Sequence, residues 1–124
     1  MQIQNIFEIE GMTLPAGRNT KVFVGPQAGL TARAFVQGYV TIFPDGGIPE
    51  HAHANEETYT ILSGSGVVQV KDEERQVRAG DCIYMEPGCR HGLKNIGDED
   101  MIMLFTYSPA DIVDHWEQEM KGEL

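Results

Sequence analysis

Basic residues are scarce in this sequence of 124 residues. Nine lysines and arginines stand against 19 aspartates and glutamates, so the chain carries a formal net charge of −10 at pH 7. A field of that sign repels a polyphosphate backbone instead of attracting it. We therefore expect no nucleic-acid partner.

The sequence also has no long apolar run and only two cysteines. The longest apolar run covers residues 101–105, whereas crossing a bilayer takes roughly 20 residues, and the N-terminus lacks a basic-then-apolar signal pattern. Cys82 and Cys89 lie only seven positions apart, which argues against a disulfide framework and predicts two small buried thiols. We expect a soluble, cytoplasmic protein with no membrane contact.

Turn-forming residues, in contrast, are frequent. The chain has 14 glycines and six prolines, and turn signals separate β-branched and aromatic segments of strand length. This pattern predicts an antiparallel sandwich or barrel of short strands followed by one helix. We expect a single domain over residues 1–124, since the length leaves no room for a second core. Within it, residues 31–107 would form the barrel and residues 108–121 the helix.

Residues 33–43 alternate between two faces. One face is small or aliphatic and comprises Ala34, Val36, Val40 and Ile42. The opposite face mixes polar and aromatic side chains and comprises Arg33, Phe35, Gln37, Tyr39 and Thr41. On an open sheet this second face would be the wet side, and in a small closed barrel it would line a ligand cavity. The strand alone does not decide between the two.

The two ends of the chain show different patterns. Residues 1–30 have scattered apolar positions broken by glycine and proline, which predicts edge strands that cover the barrel or pair with a second subunit, and hence a homodimer. Ser108 and Asp111 resemble a capping box with Pro109 in the first turn. The apolar stripe that follows comprises Ile112, Val113, Trp116 and Met120. His115 lies off this stripe, and we expect it at the surface.

Three of the four histidines fall in two short segments. If the first segment runs extended, His51 and His53 point to the same side, and Glu57 follows after a turn. His91 would come from a separate strand of the facing sheet. Three imidazoles and one carboxylate can then converge on a divalent transition metal.

The donor types narrow the choice of metal. Imidazole and carboxylate together favour manganese, iron, nickel, copper or zinc over calcium and magnesium, and the lack of a cysteine pair argues against structural zinc. A six-coordinate ion would keep two positions open for water, dioxygen or a chelating substrate. We expect one divalent metal, with manganese or iron favoured and zinc, nickel or copper also accepted.

Both segments resemble the motifs of the cupin superfamily. The pattern His51-x-His53-x3-Glu57-x6-Gly64 is similar to the first cupin motif, and Gly80-x5-Glu86-Pro87-Gly88-x2-His91-x3-Asn95 is similar to the second. The resemblance covers residues 35–110. It implies a small single-domain cupin, an all-β antiparallel jelly-roll barrel with one short C-terminal helix. It also implies that His51, His53, Glu57 and His91 are the metal ligands.

The chain departs from these motifs at two places. Asp45, followed by Gly46 and Gly47, shifts a glycine of the first motif, which we expect to change loop shape and not ligation. Glu86 stands where the second motif usually carries proline. An acidic group near the barrel mouth makes Glu86 a candidate general acid or base.

Further candidates surround the predicted ligands. Tyr59 lies one inward step from Glu57 and is a candidate catalytic residue. The candidate substrate-binding residues are Arg33, Gln37, Tyr39 and Tyr59. For the last three, ordinary packing is an equal expectation, and Arg90, a second guanidinium, is expected in solvent. Plain core packing is expected for Met85, Met101, Met103, Phe105 and Tyr107.

These residues predict a metal-dependent enzyme acting on a small oxygenated or carboxylated metabolite. Small cupins include dioxygenases, decarboxylases, lyases and sugar isomerases, and the resemblance does not choose among them. We rank redox or lyase chemistry ahead of isomerisation. The alternative from another class is a non-catalytic sensory module whose cavity binds a sugar or other small molecule.

Overall fold

The computed structural model describes residues 1–111 and 115–124. A 3₁₀ helix at Ile6–Glu8 precedes eleven strands and a short helix, α1. The strands are β1 (Met12–Leu14), β2 (Arg18–Gly25), β3 (Leu30–Thr31), β4 (Val36–Ile42), β5 (Gly47–His51), β6 (Glu56–Ser63), β7 (Ser65–Val70), β8 (Glu73–Arg78), β9 (Cys82–Met85), β10 (His91–Asn95) and β11 (Met101–Ser108). Helix α1 spans His115–Met120.

The strands form two sheets. The larger sheet has the order β1-β2-β4-β11-β6-β9, with β3 added to the end of β2, and the smaller has the order β5-β10-β7-β8. Every pairing is antiparallel except the short one between β2 and β3. The predicted all-β antiparallel fold with a short C-terminal helix is therefore confirmed.

The alternation of β4 and β11 builds the core between the sheets. In β4, Val36, Gly38, Val40 and Ile42 are buried and the residues between them are partly exposed. The expected core residues Met85, Met101, Met103, Phe105 and Tyr107 are all buried. Gly38 is required at its position because a Cβ there would overlap the Phe105 ring.

Two motif residues shape the strand connections. Gly64 joins β6 to β7 with φ +84°, a left-handed conformation that favours glycine, and a Cβ there would lie 2.9 Å from Met101 Cα. Asn95 ends β10 and is 1% exposed. Its Nδ2 donates to Ile42 O at 3.0 Å and Glu99 O at 2.8 Å, and its Oδ1 accepts from Gly97 N at 2.9 Å. These bonds tie the end of the smaller sheet to the larger one.

The N-terminal segment is more central than the sequence indicated. β1 does form the edge of the larger sheet, but β2 lies between β1 and β4 and pairs with β4 over most of its length. The prediction of edge strands was therefore wrong for β2. β4 begins only at Val36, and both Arg33 and Ala34 are exposed ahead of it.

The C-terminal predictions need several corrections. Ser108 is the last residue of β11, and its hydroxyl donates to Ala34 O at 2.7 Å, so it is not a helix cap. Met120 is exposed, and His115 is buried instead of lying at the surface. Ile112 and Val113 lie outside the described residues. Cys89 is buried as expected but Cys82 is exposed. Among residues 1–111 and 115–124, none of the helices is long and apolar enough to span a membrane.

Candidate metal centre

Both sheets contribute to one cluster near an end of the barrel. His51 ends β5 and His91 begins β10, and the two are register partners in the smaller sheet. Glu57 points inward from β6 of the larger sheet, and His53 comes from the connection between β5 and β6. We call His51, His53, Glu57 and His91 the central cluster. One ligand atom from each lies within 4.8 Å of the other three.

The imidazoles are held by backbone carbonyls. Nδ1 of His51 bonds to Pro49 O at 2.7 Å, Nδ1 of His53 to Asn55 O at 3.1 Å, and Nδ1 of His91 to Cys89 O at 3.0 Å. A carbonyl only accepts, so each Nδ1 carries the hydrogen and each ring presents Nε2 to the centre. Outer partners of this kind orient histidine ligands at metal sites.

The inward-facing atoms of the central cluster suit a cation. Glu57 Oε1 lies 3.0 Å from His53 Nε2 and 3.1 Å from His91 Nε2. His51 Nε2 is buried and has no hydrogen-bond partner among the described residues. Three nitrogen lone pairs and a carboxylate facing one point repel one another unless a proton or a metal ion lies between them. The residues present therefore fit a single divalent transition metal.

The ionisation of the cluster follows from its burial and its contacts. Burial and the nearby His91 lower the pKa of His51 to about 4, so His51 is neutral at pH 7. Burial alone would lower the pKa of His53, but the hydrogen bond that the Glu57 carboxylate accepts from His53 reverses this and the net pKa is raised. Burial alone would raise the pKa of Glu57, but His53 and His91 lower it overall. Glu57 is therefore an ionised acceptor between two imidazoles.

The free space beside the cluster is small. A cavity of about 20 Å³ is lined by Arg18, Thr20, Val40, Ile48, Glu57, Tyr59, Phe105, His115 and Trp116. A volume of that order holds about one water molecule. Thr20 Oγ1 and His115 Nδ1 are buried without a partner in the described part of the chain, so polar groups are available to bind it. Four surface clefts of about 410 to 460 Å³ are lined by residues outside the central cluster.

Residues 38–107, more than half of the chain, match the family model of the cupin domain. The chain belongs to the cupin family. Over 61 residues this cupin is 38% identical to an uncharacterized protein of Methanocaldococcus jannaschii, which covers 48% of this chain and 49% of that protein. The alignments to four curated relatives cover 49 to 62% of the lengths of those proteins.

Solved cupins share the fold at low sequence identity. A crystal structure from Thermotoga maritima, described as a predicted oxalate decarboxylase, has a TM-score of 0.78 at 19% identity, over 86% of this chain and 98% of that one. An RmlC-like cupin from Shewanella frigidimarina has a TM-score of 0.75 at 18% identity, over 89% of this chain and 92% of that one. At these identities the likeness establishes the fold alone.

The other candidate residues of this cupin lie in different surroundings. Tyr59 is 2% exposed, lines the small cavity, and its ring centroid lies 5.8 Å from that of His91. Glu86 is half exposed and forms an ion pair with Lys71. Arg90 is exposed, as expected, with Nε 4.0 Å from Glu50 Oε1. Glu86 and Arg90 therefore do not line the cavity.

The polar face of β4 does not turn toward the central cluster. Gln37 Nε2 donates to Thr106 Oγ1 at 3.0 Å, and the Tyr39 ring packs edge-on against Phe7 at 5.8 Å. Both side chains alternate with the buried residues of β4 and lie on the outer face of the sheet. Arg33 precedes the strand and is exposed. The structure thus does not bring Arg33, Gln37 and Tyr39 to the cavity where we expected substrate.

His115 is the residue near the site that the sequence did not indicate. Its ring stacks on His51 with centroids 3.9 Å apart and an interplanar angle of 15°. All four histidines of the chain are therefore neighbours. The sequence contains only the four-residue spacing of His115 and Glu119, which places both on one helix face. That this face is buried is seen in the structure alone. The predicted apolar stripe, which includes Trp116 and Met120, lies on a different face of the helix.

Proposed function

We propose that this cupin is a metal-dependent enzyme that acts on a small oxygenated or carboxylated metabolite. The observation that carries the proposal is the convergence of three Nε2 atoms and one carboxylate, all within 4.8 Å, at a buried point. Each imidazole is already fixed by a backbone carbonyl. A preformed donor set of this kind binds an ion without reorganising the barrel.

His51, His53, Glu57 and His91 would hold the ion, for which manganese or iron is our choice. Three nitrogens and one oxygen suit these metals, and zinc, nickel or copper would also be accepted. When bound, such an ion supplies Lewis-acid or redox chemistry at positions that the protein leaves open. Four protein ligands would leave two positions of a six-coordinate ion for a chelating substrate.

The residues around the cluster have separate tasks. Burial and the charge of Glu57 raise the pKa of Tyr59 well above its usual value, so its phenol stays protonated and can donate a hydrogen bond to a ligand. Glu57 stays ionised because two imidazoles stabilise its charge. Phe105 and Trp116 line the cavity with apolar rings, which leaves room for little more than one water molecule.

The size of the cavity favours a small substrate. A space of about 20 Å³ beside the cluster holds about one water molecule, so an acid of a few heavy atoms requires less movement of the surrounding side chains than a sugar phosphate does. We therefore place decarboxylation or oxidation of a small carboxylate ahead of sugar isomerisation. The solved structure described as a predicted oxalate decarboxylase supports oxalate as the first compound to test.

The test compares substrates and atmospheres. Protein loaded with Mn²⁺ or Fe²⁺ is incubated under air and under nitrogen with oxalate, small hydroxy acids, small keto acids and sugar phosphates. We expect the wild type and Arg90→Ala to consume one of the small carboxylates, and we expect His91→Ala not to consume it. Thermal stabilisation by a compound that is never turned over would contradict the enzyme and favour a non-catalytic binding module.

We also propose that the protein forms a homodimer. Large apolar side chains are exposed near the N-terminus, in β1 and just before β4, namely Ile3, Phe7, Met12 and Phe35. A second copy would cover apolar groups that otherwise face water. Light scattering coupled to gel filtration is expected to give twice the mass of 13.8 kDa. A mass of one chain at micromolar concentration would contradict the dimer.

A further inference from the structure

Helix α1 is joined to the barrel by a buried ion pair. Arg18 Nη1 lies 2.9 Å from Glu119 Oε2, and Arg18 Nη2 lies 2.7 Å from Glu119 Oε1. Their side chains are only 1% and 4% exposed. Ala16 N also donates to Glu119 Oε2 at 2.8 Å, and Arg18 Nη1 donates to Gly47 O at 3.0 Å. The Glu119 carboxylate thus joins α1 to β2, and the Arg18 guanidinium extends the connection to β5.

The same helix face carries His115 onto the central cluster. His115 precedes Glu119 by four residues, so both side chains project from one face. The His115 ring lies almost parallel to the ring of His51 at a centroid distance of 3.9 Å. It is also 6.0 Å from the ring of His53. The helix thus places an imidazole directly over one of the proposed ligands.

Trp116 completes the contact between α1 and the barrel. Its ring centroid lies 5.9 Å from that of Phe105 and 5.2 Å from that of His115. With α1 in this position, the cavity beside Glu57 and Tyr59 measures about 20 Å³. That space admits about one water molecule and leaves no room for an acid of several heavy atoms.

We propose that α1 is a cover over the central cluster, held by the Arg18–Glu119 pair and touching the cluster through His115. Compounds larger than water reach the cluster only after α1 moves away from the barrel. His115 is a positioning residue, since its ring stacks on that of His51. The function of this cover rests on the proposed function, because the cluster that α1 covers is the proposed metal site. Its presence is nevertheless testable on metal-free protein.

Two reporters built into the chain test the cover. Trp116 is the one tryptophan of the sequence, so quenching of its fluorescence by acrylamide reports whether α1 is seated. Carbethoxylation of His51 by diethylpyrocarbonate, located by mass spectrometry, reports whether the central cluster is reachable. Both measurements use metal-free full-length protein. The variants are Glu119→Gln, His115→Ala and the control Glu117→Gln, whose carboxylate is on the same helix but is 70% exposed.

We expect Glu119→Gln to raise both the quenching of Trp116 and the reaction rate of His51, the latter by about fivefold or more, since a buried guanidinium loses its charged partner. His115→Ala removes only the stacked ring and should also raise the rate at His51. Glu117→Gln should match the wild type in both measurements. Faster removal of bound metal by a chelator in the first two variants would support the same cover.

Results that contradict the cover can be distinguished from results that contradict the proposed metal site. If Glu119→Gln exposes Trp116 but leaves the His51 rate within about twofold of wild type, α1 is not the cover. If Glu119→Gln does not fold, an unchanged His51 rate in folded His115→Ala overturns the proposal. Absence of bound metal in every variant would contradict the proposed function, while the rates on metal-free protein would still decide the cover.

Discussion

His51 and His91 stand directly opposite each other on neighbouring antiparallel strands, with ring centroids 4.3 Å apart. Two protonated imidazoles at that distance would repel each other, so at least one must be neutral or share a metal ion. The low pKa of His51, about 4, is the expected response of the metal-free protein. Predictions for stability and for metal binding follow from this arrangement.

The stability of the metal-free protein should fall as the pH drops below about 6.5. Burial, together with neighbouring charges, lowers the pKa of His51 from 6.5 to about 4 and that of His115 from 6.5 to about 2. Below 6.5 the unfolded chain takes up protons at both sites and the folded chain does not, so stability present above 6.5 is lost toward pH 4. Each group contributes at most about 1.4 kcal/mol per pH unit.

The raised pKa of His53 acts in the opposite direction. Its contribution is fully present below 6.5 and is lost as the pH rises through the folded pKa, so it does not cancel the loss at acidic pH. Urea unfolding at several pH values between about 7 and 5 measures the slope. His115→Phe keeps a stacked ring without a proton site and should reduce the slope by about half. An equal slope in wild type and His115→Phe would contradict this assignment.

Asn95→Ala should destabilise the barrel without altering its metal site directly. The substitution removes three hydrogen bonds and leaves the buried Ile42 O without its side-chain partner. We expect a loss of about 2 to 4 kcal/mol in the free energy of unfolding. Urea denaturation provides the measurement, and Lys94→Ala, exposed on the same strand, should remain within about 0.5 kcal/mol of wild type.

Gly38→Ala should also be destabilising, by a different mechanism. The new methyl group would overlap the Phe105 ring, and overpacking of this kind costs about 1 to 3 kcal/mol. Combining it with Phe105→Leu should cost less than the sum of the two single changes, because the smaller side chain makes room. Additive losses in a double-mutant cycle would mean that Phe105 does not set the requirement for glycine.

The sequence was most informative where pattern and burial coincide. Alternation in β4 and the spacing of His51, His53 and Glu57 predicted the barrel and the convergence of the central cluster. Period-two patterns cannot tell whether a polar face turns inward, so Gln37 and Tyr39 were candidates for substrate binding although they lie on the outer face. The burial of His115 could not be predicted because it depends on Arg18 and Glu119, which are 101 residues apart and meet only in the folded chain.

The central claim is that His51, His53, Glu57 and His91 share one metal ion, and metal analysis of protein purified without chelators tests it most directly. We expect one divalent transition metal per chain in the wild type, and almost none in His51→Ala or His91→Ala. Both variants should keep the circular dichroism of a folded barrel, since strand packing supplies most of the stability. Metal-free wild type after supplementation with Mn²⁺ and Fe²⁺, or unchanged metal content in the two variants, would contradict the account.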